Sequence, residues 1–473
     1  MTTKPRKPLL SLDDALALDR EQVVNLYSRH VNSVLAQTAA PFGLLRNYVK
    51  AEGTFLWDDS GRRYYDFFNG FGCLNLGHNH PRVVGALRRA LDRSLPMIHQ
   101  LSPSAVMVAL AHNLSALLPE DLSVSYFMNS GSEAVEAAIK MARIATGRKR
   151  FLAAHNSYHG RTLGALTLTG MEQYRAPFEP LAAGVEHVAY NDIAALRARL
   201  ACGEFAALFL EPIQGQGGVR VPDPDYLPQA RELCNRYGTL LVFDEVQTGF
   251  GRTGDTFAFE FSNTVPDILL TSKSFGGGVM PLSACTTSPE IWTKAYGTLK
   301  KFVLHSSTFS GNTLACVAGM AAIEALINEH VIENCREQSE YFFARLRQLK
   351  EKYPVIKEIR GRGLMIGLVF DLANWNPLGP PSRAIIDAIS PKIVTAFIAA
   401  RFLNDHGIIV PPSLTDEYLL RIYPPLTVRR ENIDYFIAAL EQVCASLGGY
   451  QNLLQKTLPK LIRYRVGAVS AAR

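Results

Sequence analysis

Asp244 and Lys273 set the chemical question. Asp244 lies near the end of the apolar run 240–245 (LLVFDE), and Lys273 ends the run 268–273 (ILLTSK), just before Gly276, Gly277 and Gly278. Open α/β sheets bind their ligands outside the carboxyl ends of the strands, which is where both residues fall. A lone aspartate in that place is ordinarily a helix cap or an ion-pair partner. A lysine one strand further on changes the reading. An amine that forms a Schiff base, with a carboxylate that keeps a ring nitrogen protonated, is what a pyridine-aldehyde cofactor requires.

Such a cofactor also carries a phosphate, and the sequence offers a cradle for one. Residues 129–134 (NSGSEA) sit between the apolar run 124–128 (VSYFM) and a helix-forming stretch, AVEAAIKMARIA. Main-chain N–H groups at a helix start, a glycine permitting close approach and the Ser132 hydroxyl together make an anion site. Taken alone, the segment reads equally well as an N-cap formed by Ser132.

Two other patterns carry less. Residues 249–254 (GFGRTG) fit GxGxxG, but that fingerprint opens a helix directly after the first strand of a βαβ unit. Here it is mid-chain and leads into DTFAFEF, which lacks helical character. His78, Asn79 and His80 have no accompanying carboxylate or thiol cluster at ligand spacing, so no metal site is expected.

The elements that must position these residues follow from periodicity. Residues 12–36 carry helical spacing, and 53–68 read as a hairpin around Asp58-Asp59-Ser60-Gly61. A proline-opened helix is expected at 81–94. From about 100 to 330, helices (103–117, 132–146) alternate with apolar strands (151–154, 206–211, 239–244, 268–271). This predicts an α/β unit with a largely parallel sheet, apolar on both faces. A long helical stretch over 312–352 follows. Strands within 355–370, a helix at 383–406, a strand in LLRIYPPLTV and a last helix at 431–446 predict a smaller α+β unit.

Composition excludes several classes. The 473 residues are 48% hydrophobic and 19% charged, so a sizeable core is available. The net charge of +6 owes much to the two ends (Lys4, Arg6, Lys7; Lys456, Lys460, Arg463, Arg465, Arg473). Solvated tails explain this better than nucleic-acid binding, which wants an interleaved basic and aromatic patch. No run approaches the ~18 apolar residues of a bilayer span, and the N-terminus does not read as a secretory signal. The seven cysteines are scattered and never form CxxC, which points to reduced thiols and a cytoplasmic location. The tail from Tyr450 mixes basic and apolar residues; it reads as packing on a dimer, with no stable membrane association expected.

At this point the residues resemble a family. Gly77-His78-Asn79-His80-Pro81, the 129–134 segment, Tyr158-His159-Gly160-Arg161-Thr162, Glu211-Pro212-Ile213-Gln214-Gly215, Asp244 to Gly249, Ser272-Lys273, His305 to Asn312 and Leu420-Arg421 occur in order. This ordered set is similar to the class III aminotransferases, pyridoxal-phosphate enzymes of fold type I. The resemblance implies a large domain with a mostly parallel sheet flanked by helices, and a small domain built from N- and C-terminal segments. Laid on the sequence, it gives a helical extension (1–36), a segment packing with the small domain (37–100), a large cofactor domain (101–345), a small domain (346–449) and a basic tail (450–473).

It also implies roles. Lys273 and Asp244 would be catalytic. Gly131 and Ser132 would hold the cofactor phosphate, Tyr158 would stack on the ring, and Gln247 would contact its phenolic oxygen. Val246 would pack on the ring's other face, and His159 and Glu211 would complete the cofactor site. Thr308 would reach the phosphate of a neighbouring subunit, making the active sites of a homodimer shared. Arg421 would grip a substrate carboxylate. Within the family the chain most resembles putrescine aminotransferases, which act on terminal diamines with 2-oxoglutarate or a similar acceptor. One position departs: Gln216 stands where many relatives carry a glutamate able to pair with that arginine. A diamine/2-oxoglutarate cycle is thereby put in question. Pyruvate as acceptor, or a longer biosynthetic amine made from an aldehyde, fits as well. The competing expectations are an acetylornithine- or ornithine-type aminotransferase, an aminomutase, racemase or decarboxylase on the same scaffold, and a non-catalytic binding protein.

Overall fold

Asp58 sets the first turn by accepting from Ser60 N and Arg62 N, both at 3.0 Å, the side-chain-to-backbone pattern expected of turn aspartates. The hairpin it closes joins β2 (Phe55–Asp58) to β3 (Arg63–Asp66), with β1 (Tyr48–Glu52) alongside β2. The structure, a computed structural model, describes residues 9–40, 43–98, 102–371, 391–411 and 418–446.

The main sheet holds seven strands: β4 (Val124–Met128), β5 (Arg150–Ala154), β6 (Val185–Val188), β7 (Phe205–Leu210), β8 (Leu240–Asp244), β9 (Ile268–Thr271) and β10 (Ser283–Thr287). Their spatial order is β4-β10-β9-β8-β7-β5-β6, and β10 runs antiparallel to both of its neighbours while the rest share one direction. Side chains alternate between two cores. Leu208, Leu210, Leu241, Phe243 and Leu269 enter one cluster; Ala207, Phe209, Val242, Ile268 and Leu270 enter the other. A period of two with apolar residues on both sides is the mark of a sheet sandwiched between helical layers. Each such Leu or Phe contributes roughly 1.5–3 kcal/mol by leaving water.

After the main sheet come β11 (Ile356–Arg362), β12 (Met365–Phe370), β13 (Ile408–Ile409) and β14 (Leu419–Ile422). β11, β12 and β14 form an antiparallel sheet, whereas β13 pairs parallel with β3. Of the C-terminal strands, β13 therefore joins the sheet of the N-terminal hairpin. One fully enclosed arginine ties the parts together. Arg252 Nη1 donates to Leu364 O (3.1 Å) and Pro424 O (2.6 Å), and Nη2 donates to Asn75 Oδ1 (2.6 Å). Burial draws this guanidinium down to about 10.

Several expectations shift. The 12–36 stretch is three helices, Leu12–Leu16, Arg20–His30 and Ser33–Ala39, because Ser11, Asp19 and Asn32 each cap a new start. The 312–352 stretch is two helices, Thr313–Asn328 and Val331–Lys352, bent by 60°. His330 takes φ +52° at the break, a left-handed conformation that ends helical propagation. The helix expected from 383 runs Pro391–His406, with 383–390 outside the described residues, as are 1–8 and the tail 450–473. Residues 249–254 lie in turns rather than at a helix start, so the GxGxxG match carries no dinucleotide fold. Among the described residues no single helix is long and apolar enough to cross a membrane.

Candidate active site

Five strands of the main sheet deliver residues to one place. β4 leads into the helix Gly131–Thr146, β5 into Tyr158 and His159, β7 into Glu211, β8 ends on Asp244, and β9 leads into Lys273. These carboxyl ends surround a cavity of about 620 Å³. Its lining includes Gly131, Ser132, Tyr158, His159, Glu211, Gln216, Asp244, Val246, Gln247 and Lys273. The expected residues thus converge, apart from Arg421 and Thr308, which are placed below.

The helix start is built by Ser130, not Ser132. Ser130 Oγ accepts from Glu133 N (3.3 Å), and Glu133 Oε2 in turn accepts from Asn129 N (2.9 Å). Ser132 is freed to face the cavity, where its Oγ accepts from Arg161 N (3.2 Å). First-turn amides and the positive end of the helix dipole make this corner anion-selective. Glycine is required on both sides of it. A Cβ on Gly131 would sit 3.1 Å from both Val246 methyls, and one on Gly160 (φ +132°) would sit 2.2 Å from Ser132 Oγ.

On the cavity floor, Asp244 Oδ2 lies 2.8 Å from His159 Nδ1, and Asp244 Oδ1 accepts from Val246 N (3.1 Å). Buried His159 Nε2 has no hydrogen-bond partner among the described residues. Glu211 accepts from Tyr158 N (2.9 Å) and Gly215 N (3.2 Å). Burial, with the neighbouring Asp244 charge, pushes the Glu211 carboxyl up to about 7. Gln247 Nε2 donates to Phe71 O (2.8 Å).

Lys273 stands in the left-handed region at φ +49°. A non-glycine residue held there stores about 1–3 kcal/mol, and such strain gathers at functional positions. Its side chain opens on the cavity, and burial holds the ammonium below its ordinary value against the pull of Cys73, Asp244 and Glu211.

Arg421 is fully enclosed on β14, one layer behind the cavity wall. Its Nη1 donates to Gln216 Oε1 (2.5 Å), its guanidinium lies 4.9 Å from the Phe71 ring centre, and Nε and Nη2 form no hydrogen bond among the described residues. Gln216 Nε2 donates to Tyr174 OH (3.4 Å), and Arg161 stacks 4.0 Å above the Tyr174 ring. Thr308 is exposed and outside this cavity; its neighbour Ser307 lies 3.3 Å from Asn129 Nδ2.

Phe71, Cys73, Arg161 and Tyr174 line the cavity without having been given a role from sequence. The signal for Phe71 was available. Gly70 and Gly72 flank it, and residues 69–72 all take positive φ, which lets a backbone approach a ligand closely.

The residues fit pyridoxal phosphate. An amine, a carboxylate fixed by a histidine, an aromatic ring and a helix start share one cavity, and side-chain atoms at Gly131 and Gly160 would fill the anion corner. Comparison with known proteins agrees. The profile of the aminotransferase class-III family matches residues 37–444. Aminotransferase PigE of a Serratia species is 35% identical over 94% of this chain, which spans 56% of that protein, little more than half its length. Putrescine aminotransferase of Pectobacterium atrosepticum is 36% identical over 93% of this chain and 92% of its own. The crystal structure of ornithine aminotransferase from Toxoplasma gondii superposes with a TM-score of 0.81 at 31% identity, covering 93% of this chain and 98% of that one. The fold is that of the fold type I pyridoxal-phosphate enzymes, and the chain belongs to the class-III aminotransferase family.

Proposed function

We propose that the protein moves an amino group between the terminal amine of an aliphatic substrate, putrescine or a longer biosynthetic amine, and a 2-oxo acid. The observation that carries this is the convergence of Lys273, Asp244 and the Ser130–Ser132 helix start on one cavity. Pyridoxal phosphate, when bound, supplies an electron-withdrawing ring that stabilises negative charge on the carbon bearing the migrating nitrogen. The protein's own residues do the rest. Gly131, Ser132 and the first-turn amides would hold the phosphate, and Asp244, oriented by His159, would present a carboxylate to the ring nitrogen. Tyr158, Val246, Gln247 and Glu211, which line the same cavity, would contact the ring.

Lys273 Nζ takes the proton from the substrate carbon and returns it; burial lowers its basicity, which favours the neutral amine. Arg421 offers a planar fork suited to the carboxylate of a 2-oxo acid. The two substrates use the site alternately, in a ping-pong cycle.

Shared active sites in a homodimer, with Thr308 reaching the neighbouring phosphate corner, belong to the same reading. The exposure of Thr308 and of Leu299, Phe302, Val303, Leu304 and Phe309 on one segment supports it. Seven free cysteines, five of them buried, support a reducing, cytoplasmic setting. Similarity to ornithine aminotransferase favours a second reading, in which ornithine or its acetyl derivative is the donor.

Purified holoenzyme supplied with a primary ω-amine and a 2-oxo acid should release the matching aldehyde faster than it consumes ornithine or acetylornithine. The opposite order transfers the assignment to the second reading.

A further inference from the structure

The glycine-rich run 249–254 opens no helix; it builds a joint beneath the cavity wall. Phe250, at φ +55°, turns its carbonyl onto Asn75, whose Nδ2 donates to it at 2.7 Å. Gly251, at φ +89°, lets Leu426 close in, since a Cβ there would lie 2.8 Å from Leu426 Cδ1. Arg252 then donates to Asn75 Oδ1, Leu364 O and Pro424 O. Asn75 is buried, and its own carbonyl accepts from Leu426 N at 2.8 Å. One asparagine and one arginine thus join the glycine-rich run, the N-terminal segment and the C-terminal sheet.

What this joint holds is a strained piece of cavity wall. Asn69, Gly70, Phe71 and Gly72 take φ of +55°, +57°, +62° and +80°. Asn69 and Phe71 carry a Cβ, so the stretch does not keep this path unaided. Its near end is pinned by Asp66 Oδ1, which accepts from Phe68 N (2.9 Å) and Asn69 N (2.7 Å). Its far end is Asn75. Arg252 lies against the middle, where a Cβ on Gly72 would sit 3.5 Å from Arg252 Nε. On the other side the Phe71 ring lines the cavity, edge to face with Phe68 at 4.3 Å, and Phe71 O accepts from Gln247 Nε2.

The three acceptors of Arg252 are all neutral. An enclosed guanidinium without a carboxylate is a poor source of stability, and packed hydrocarbon of like volume serves as well or better. A planar fork supplies direction instead: it fixes where each acceptor, and the chain behind it, must lie. We infer that Arg252 and Asn75 are positioning residues for the amine substrate, which hold the Phe71 ring at the cavity wall without touching substrate themselves. The inference rests on the proposed amine transfer and deepens it, by naming what sets the shape of the substrate wall.

Putrescine and n-hexylamine, each reacted singly with holoenzyme and followed by the spectral change of the cofactor, give a saturation constant and a limiting rate. Asn75→Ala leaves both carbonyl bonds of Arg252 in place. It should raise the saturation constant about tenfold, with the limiting rate and the cofactor dissociation constant within about twofold of wild type. Arg252→Lys, which keeps charge and loses the fork, should do the same; should it fail to fold, Asn75→Ala carries the test. In a Phe71→Ala background Asn75→Ala should add less than about twofold, because residues that act through one ring do not add. Saturation unchanged in Asn75→Ala, or a fall in limiting rate and cofactor retention alone, overturns the inference and leaves amine transfer standing. Additive losses with Phe71→Ala overturn it as well. Wild-type holoenzyme that reacts with neither amine overturns the proposed function itself, so the two failures are told apart.

Discussion

His159 and Asp244 face each other at 2.8 Å, Nδ1 to Oδ2, with the histidine side chain wholly enclosed. The second carboxylate oxygen is taken by Val246 N at 3.1 Å, so the aspartate has no rotational freedom and its charge is aimed before any ligand arrives. Preorganised charge of this kind dominates catalysis when it is directed at the reacting centre. Asp244→Asn keeps the shape and removes the charge. Steady-state kinetics should show kcat lower by about 10²–10³-fold, with thermal stability unchanged and the cofactor still retained through gel filtration.

Lys273→Ala should abolish turnover together with the visible absorbance of the lysine-linked cofactor; wild-type-like turnover in this variant would end the proposed function. The backbone offers a second readout. At φ +49° alanine inherits the strain and glycine does not, so apo Lys273→Gly should exceed apo Lys273→Ala in stability by about 1 kcal/mol, measured by chemical denaturation.

Gly160→Ala drives a methyl to within 2.2 Å of Ser132 Oγ at a φ of +132°. The expected effect is a rise of at least about tenfold in the cofactor dissociation constant, or 1.4 kcal/mol, read by reconstitution titration of the apo-protein. Gly85→Ala is the matching control. It lies within the helix Pro81–Asp92, and a Cβ there meets only Arg89 Nη1 at 3.6 Å. Loading should be unaffected and stability should rise by about 1 kcal/mol.

His187 is half-buried between a donor and an acceptor. Arg175 Nη1 lies 3.2 Å from its Nδ1, and its Nε2 lies 3.2 Å from Leu168 O. The neutral tautomer satisfies both, and a second proton would point at a guanidinium. Burial and that neighbour pull its pKa from 6.5 to about 4. The unfolded chain then takes up a proton that the folded one refuses. The stabilisation is complete above 6.5 and drains away as pH falls towards 4. Chemical-denaturation curves across that window should show wild type losing more stability than His187→Gln; parallel losses would remove His187 as the cause.

Local pattern was enough to place Asp244 and Lys273, because an apolar run of strand length announces both the element and where it ends. It put the helix cap at Ser132, where the structure uses Ser130. Both are serines one turn from suitable partners, and only the path of the chain out of β4 selects Ser130. It did not reveal that Gln216 Oε1 meets Arg421 Nη1 at 2.5 Å, a contact across 205 positions. Pairings of that range depend on how the C-terminal sheet docks, which no window of neighbouring residues encodes. The break at His330 failed for a different reason: helix-forming residues flank it on both sides, and a single left-handed residue leaves no compositional trace.

Arg252 is made on the ribosome long before Leu364 and Pro424, whose carbonyls take its Nη1 protons. A guanidinium shut away from water without acceptors costs several kcal/mol. The nascent chain thus cannot seal the region beneath Gly72, whose absent Cβ would lie 3.5 Å from Arg252 Nε. Biogenesis acquires an order from this: the helical layers can gather during translation, but the pocket matures only when the far end of the chain is released and docks. Truncations near the C-terminus should accordingly yield colourless protein rather than enzyme of reduced affinity.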